Sequence, residues 1–226
     1  MIWLPATLLA GLFQAWRTAV QQRLRAELSV NAAGLVRYLY GLPVGFLILA
    51  LWMRTTGGVP QAIGPSFLPY AAAAGLAQVV ATNLLIMAFG FRTFVAGTAY
   101  AKTEAMQGAV LATLLLGEIL SPLTWAGIAV GVAGVVTLST GGARLRPADL
   151  VQPAALSGLG AGLLFALTSI WVKSATFAVD TDDRVLAALV TLVVVQALQL
   201  LMQGGYVALR ERDQIAAVFR TWRTSS

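Results

Sequence analysis

The stretch "FLPYAAAAGLAQVVATNLLIMA" (67–88) runs for 22 residues without a charged side chain. An uninterrupted apolar block of about 20 residues is the length that crosses a bilayer as an α-helix. Its Ala and Gly content favours close contact with neighbouring helices, because small residues let backbones approach in lipid. The rest of the chain repeats the theme. Of 226 residues, 58% are hydrophobic and only 11% charged, against about 45–50% and about 25% in a soluble domain. Short alternating segments, which a β-barrel would need, are missing. The reading is an all-α polytopic membrane protein.

Seven spans can be drawn, over 2–20, 32–53, 67–88, 94–117, 122–140, 154–173 and 185–209. The start, "MIWLPATLLAGLFQAW", lacks a basic leading region and a small-residue cleavage site, so it reads as a retained span. "RTTGGVPQAIGPS" (54–66) and "GGARLRPADLVQP" (141–153) are the connectors marked by Gly and Pro. The second separates a five-span unit, 1–140, from 154–226, read as two helices and a polar tail. "LLAGLFQAW" (8–16) is weakly similar to "LGAGLLFAL" (159–167), the pattern of an internal repeat. Between spans four and five, Ser121 can cap the next helix and Pro122 suits its first position.

Composition excludes several chemistries. With neither Cys nor His in the chain, there is no thiolate nucleophile and the commonest metal ligand and general base is missing. No metal or cofactor is expected. The formal net charge is +6, but the basic residues gather at span ends and in loops without an aromatic platform. They therefore fit lipid headgroups better than nucleic acid. An intramembrane enzyme would have to use Lys102 with Thr103, and adjacent helix positions do not face each other.

The candidate site begins with charges inside span four. A charge at the bilayer centre costs about 2.5–3.5 kcal/mol on insertion scales and usually faces a cavity or a partner. Lys102 and Glu104 lie about 200° apart around a helix, so they cannot both face one narrow cavity on an ideal helix. Glu104 is expected to meet a solute amine or a proton, and Lys102 a carboxylate or counter-ion. Polar groups elsewhere in the spans, Gln14, Arg37, Gln78, Asn83, Tyr100 and Gln107, complete the candidate solute-binding set. For each of these the alternative is an interhelical hydrogen bond or, for Arg37 and Lys102, reaching to the interface. Glu118 is read as structural, accepting from the free N–H groups of the following helix. Gly127 with Gly131, and Gly158 with Gly162, form GxxxG pairs, read first as packing within one bundle.

The stretch "GTAYAKTEAMQGAVLATLLLGEILSPLTWAGIAVGVAGVVTLS" (97–139) resembles the EamA domain of the drug/metabolite transporter superfamily. The likeness lies in the small-residue helix ending "LLLGE", the short turn, the Trp, and the following GxxxGxxG. "LVRYLYGLPVG" (35–45) is similar to the second helix of that domain. The resemblance implies ten helices in two inverted five-helix repeats, and a cavity open to one side at a time for amino acids, metabolites or drugs. The last three helices would then be missing from this chain. It also implies a multi-pass protein of the cell membrane, the bacterial inner membrane in particular, with a cytoplasmic N-terminus. That orientation leaves Arg54, Lys173 and Arg184 inside and most other basic residues outside, opposite to the positive-inside rule. The expected partners are a small-molecule solute, the lipid bilayer, and a second copy or completing subunit. The alternative function is a non-transporting assembly subunit or half-transporter.

Overall fold

The computed structural model describes residues 3–24, 26–91, 101, 103–117, 119–140 and 152–220. The fold is all-α apart from one two-residue strand pair. The elements are α1 (Trp3–Leu24), α2 (Val30–Thr56), β1 (Ala62–Ile63), α3 (Phe67–Phe91), α4 (Glu104–Leu116), α5 (Pro122–Thr140), α6 (Pro153–Phe177), β2 (Val179–Asp180), α7 (Arg184–Arg210) and α8 (Arg212–Arg220). Among the described residues, four helices are long and apolar enough to cross a membrane: α2, α3 over Phe67–Ala88, α6 and α7. This is the architecture of a membrane protein.

Local chemistry sets the helix ends. Ser29 Oγ accepts from Ala32 N–H at 3.1 Å and starts α2. Gly57, at φ 68°, ends it in the left-handed conformation that glycine adopts without strain. Ser121 Oγ accepts from Thr124 N–H at 3.2 Å with Pro122 opening α5, and Gly117 (φ 66°) closes α4 just before. Asp183 Oδ1 accepts from Val185 N–H at 2.9 Å and Leu186 N–H at 3.1 Å at the start of α7.

Four long helices make the frame. Ala62 pairs with Asp180 and Ile63 with Val179, antiparallel, so the α2–α3 and α6–α7 connectors lie at the same end. The most extensive contact is between α3 and α6, then between α2 and α7, and α4 packs on α6. Small side chains dominate the buried faces of these two helices: Ala71, Ala74, Ala77 and Ala81 on α3, and Ala155, Gly158 and Ala161 on α6. Helices in lipid associate by close packing rather than by expelling water, which is why Ala and Gly dominate here. By contrast α1 packs thinly on α2 and α3, and Leu8, Leu12 and Trp16 stay exposed.

Two apolar clusters close the ends. Beside the strand pair, Phe67, Ala175, Leu186 and Val190 pack together. At the opposite end Leu24, Leu28, Val36, Ile86 and Val218 do so. Val218 belongs to α8, in the stretch read from sequence as a polar tail. There Ile215, Val218 and Phe219 stand at helical spacing, and α8 seats Val218 between the ends of α1 and α2.

At that same end a side-chain network ties four helices. Glu211 accepts from Ser29 Oγ, and at 2.6 Å from Asn31 Nδ2. Asn31 Oδ1 accepts from Asn83 Nδ2 at 2.9 Å, and Gln203 Nε2 donates to the Asn31 carbonyl at 2.8 Å. Ser29 N–H donates to Gln214 Oε1 at 3.0 Å. The strand-pair end has its own polar contact, Trp52 Nε1–H donating to Asp183 Oδ2 at 2.7 Å. That bond, followed by the Leu186 amide, holds the Asp183 carboxyl below the ordinary aspartate range. A carboxyl depressed in the folded state contributes stability above its unfolded value, about 3.9, and loses it as pH falls through the lower folded value. Acidification below about pH 4 is therefore expected to change the fluorescence assigned to Trp52, by difference from Trp52→Phe. Asp183→Asn should flatten that titration, and an unaltered titration would count against the contact.

Candidate functional site

Between the two apolar ends the bundle is polar and hollow. A cavity of about 440 Å³ is lined by side chains of α1, α2, α3, α6 and the start of α4. A second, of about 340 Å³, is lined mostly by α6 and α7 and extends toward the strand-pair end through Thr176 and Ala188. The two share Arg37 and Gln78. Gln78 stands 11 residues into α3, about 16 Å at 1.5 Å per residue, so the shared wall lies near mid-span.

Hydrogen bonds hold this wall. Arg37 Nη1 donates to Thr82 Oγ1 at 3.1 Å, and its guanidinium lies 5.5 Å from the centroid of the Tyr38 ring. The buried Tyr38 hydroxyl is 3.4 Å from Thr82 Oγ1. Gln199 Nε2 of α7 donates to Gln78 Oε1 at 2.8 Å. Thr168 Oγ1 donates to the Leu164 carbonyl one turn back at 2.8 Å and lies 3.5 Å from the Ala74 carbonyl. Buried polar groups in lipid need such partners, and here the partners come from four different helices.

Of the residues singled out in sequence, Gln14, Arg37, Gln78 and Glu104 line the larger cavity together. Gln107 does not line it. Its Nε2 donates to Thr103 Oγ1 at 2.9 Å and reaches the Leu159 carbonyl at 3.4 Å, so it helps to seat α4 on α6. Asn83 belongs to the end network with Asn31 and Gln203, and acts as an interhelical tie. Tyr100, Lys102 and Glu118 lie outside the described residues. The two GxxxG pairs differ in surroundings. A Cβ on Gly162 would stand 3.0 Å from the Ala101 carbonyl oxygen, whereas Gly127 and Gly131 have no neighbouring atom within 4 Å among the described residues.

Arg17, Thr168 and Ser169, which the candidate set from the sequence does not contain, also line the larger cavity. By position Arg17 reads as one of the basic residues that gather at span ends. The signal that could have found it is its position three residues after Gln14, on the same helix face. Arg17 and Arg37 repel one another across the cavity, and Arg17 Nε is buried without a hydrogen-bond partner among the described residues. No group of His, Cys, Asp and Glu that could hold a metal ion occurs among the described residues. No protein-family model matches the chain, and a search of characterised proteins found no significant match.

Proposed function

We propose that the chain is a multi-pass transporter that moves small organic solutes across a cell membrane, a bacterial inner membrane by its resemblance to the EamA-type transporters, by alternating access. In this reading seven spans cross, the first five forming one repeat, and no bound cofactor takes part. The observation that carries the reading is the pair of cavities meeting at Arg37 and Gln78 near mid-span. A solute site at mid-bilayer, reached from one side or the other, is how alternating-access carriers are built. Polar groups on apolar walls suit a small organic solute. Glu104 would receive a solute amine or a proton.

One observation favours the second reading, a half-transporter or assembly subunit. The glycine face of α5 at Gly127, Gly131 and Gly134 has no neighbouring atom within 4 Å among the described residues, and a second copy or a completing subunit would cover it.

Flux in proteoliposomes tests both. Wild-type protein is expected to move solutes from a panel of amino acids and small amines, with Glu104→Gln and Lys102→Met each lowering the rate at least about tenfold, the scale of one lost charged hydrogen bond. Unchanged flux in both variants, with wild-type thermal unfolding, would refute the site. Folded protein that carries nothing alone, but gains flux when a partner is co-reconstituted, would support the second reading.

A further inference from the structure

Two arginines face the larger cavity, and among the described residues neither forms an ion pair. Arg17 comes from α1 and Arg37 from α2. Arg17 keeps Nε buried without a hydrogen-bond partner, and the one hydrogen bond found for Arg37 goes from Nη1 to Thr82. A guanidinium carries five donors in a planar fork that matches a carboxylate or phosphate edge. Two such forks lining one cavity, and repelling each other, would both be satisfied by an oxyanion between them. Glu104 reaches the cavity from another wall, the start of α4, so an anion is steered to the arginine side.

We infer that the cavity takes a solute bearing a compact oxyanion, a carboxylate or a phosphate, clamped between Arg17 and Arg37. This rests on the transport reading for the solute's passage, but not for its binding. It also gives the anion-binding role to a pair of residues other than Lys102. In this geometry a zwitterion would lie across the cavity with its acid at the arginines and its amine toward Glu104.

Binding can be measured apart from flux. Purified protein in phosphatidylcholine nanodiscs is titrated with acetate and with inorganic phosphate, against chloride at matched ionic strength. Saturable binding of at least one oxyanion is expected. Arg17→Gln and Arg37→Gln should each weaken it about 10- to 100-fold, as loss of a charge-assisted hydrogen bond does. Arg17→Lys keeps the charge but loses the fork, and should fall between wild type and Arg17→Gln. Thermal unfolding without ligand identifies any variant that has lost its fold, and Arg17→Lys then carries the comparison. No oxyanion binding above chloride, or equal binding in all variants, overturns the clamp. Displacement of acetate and phosphate when phosphatidylglycerol is added to the nanodiscs also overturns it, because a lipid headgroup then holds the arginines. The two proposals separate in proteoliposomes. Oxyanion binding without any flux leaves the clamp and removes transport, whereas flux of amines without oxyanion binding does the reverse.

Discussion

Gly162→Leu is expected to destabilise the protein by about 1–3 kcal/mol or more, the range for overpacking a close contact, by forcing α4 off α6. The cause is backbone. A Cβ at 162 would stand 3.0 Å from the Ala101 carbonyl oxygen and 3.2 Å from the Glu104 amide nitrogen, with Gln107 Nε2 at 3.4 Å. The first two cannot rotate away, so the start of α4 must move as a unit, and Glu104 moves with it. Gly162→Ala should already lower the unfolding temperature. Gly160→Ala is the control, because its nearest neighbour, Leu84 Cδ1 at 3.4 Å, ends a flexible side chain. Thermal unfolding in nanodiscs reads the difference. Equal midpoints for Gly162→Leu and wild type would show that α4 does not seat there.

Asn31→Leu is expected to cost about 2 kcal/mol, from three side-chain hydrogen bonds at about 0.6 kcal/mol each in a membrane bundle. The bonds lost are those to Glu211 at 2.6 Å, from Asn83 at 2.9 Å and from Gln203 at 3.4 Å. The Gln203 bond to the Asn31 carbonyl survives, which limits the loss. Asn31, beside Ser29, also links the α2–α3–α7 frame to Glu211, which leads into α8. Its removal should therefore expose Arg212 and Arg220 to trypsin before the bundle melts. A variant with the wild-type midpoint and the wild-type cleavage pattern would show that the network is not what holds α8. Gly34 bears on this end too. A Cβ there would lie 2.9 Å from Asn83 Oδ1, so even Gly34→Ala disturbs the same contacts.

The long helices were legible because each is a block of apolar residues bounded by Gly, Pro or a capping side chain. The span drawn at 185–209 differs from α7, Arg184–Arg210, by one residue at each end. Four residues of the candidate site were legible as polar groups in apolar surroundings. What stayed hidden has physical reasons. Arg17 stands near a span end, where a basic residue ordinarily reaches the headgroups; only the packing of α1 on α2 turns it toward Arg37. Asn83 and Gln78 are alike in sequence, both lone amides on α3, and what separates their roles is the partner helix each one meets. The strand pair left no pattern at all, since two residues carry no alternation and their partners lie more than a hundred positions away. For α8 the signal was there in Ile215, Val218 and Phe219, but nine residues are too short to read as a span.

The pairing of Ala62 with Asp180 also carries a parity rule. Two connectors bonded to each other share one side of the membrane, so the chain between them must cross an even number of times. In the proposed topology helices α3 and α6 account for two of those crossings. The stretch that joins them must then contribute none or an even number, so α4 and α5 are spans together or not at all. A single reporter placed in the α4–α5 turn, read against one in the α2–α3 connector, distinguishes the two topologies. If the turn reports the same side as the connector, both helices cross; if it reports the opposite side, neither does.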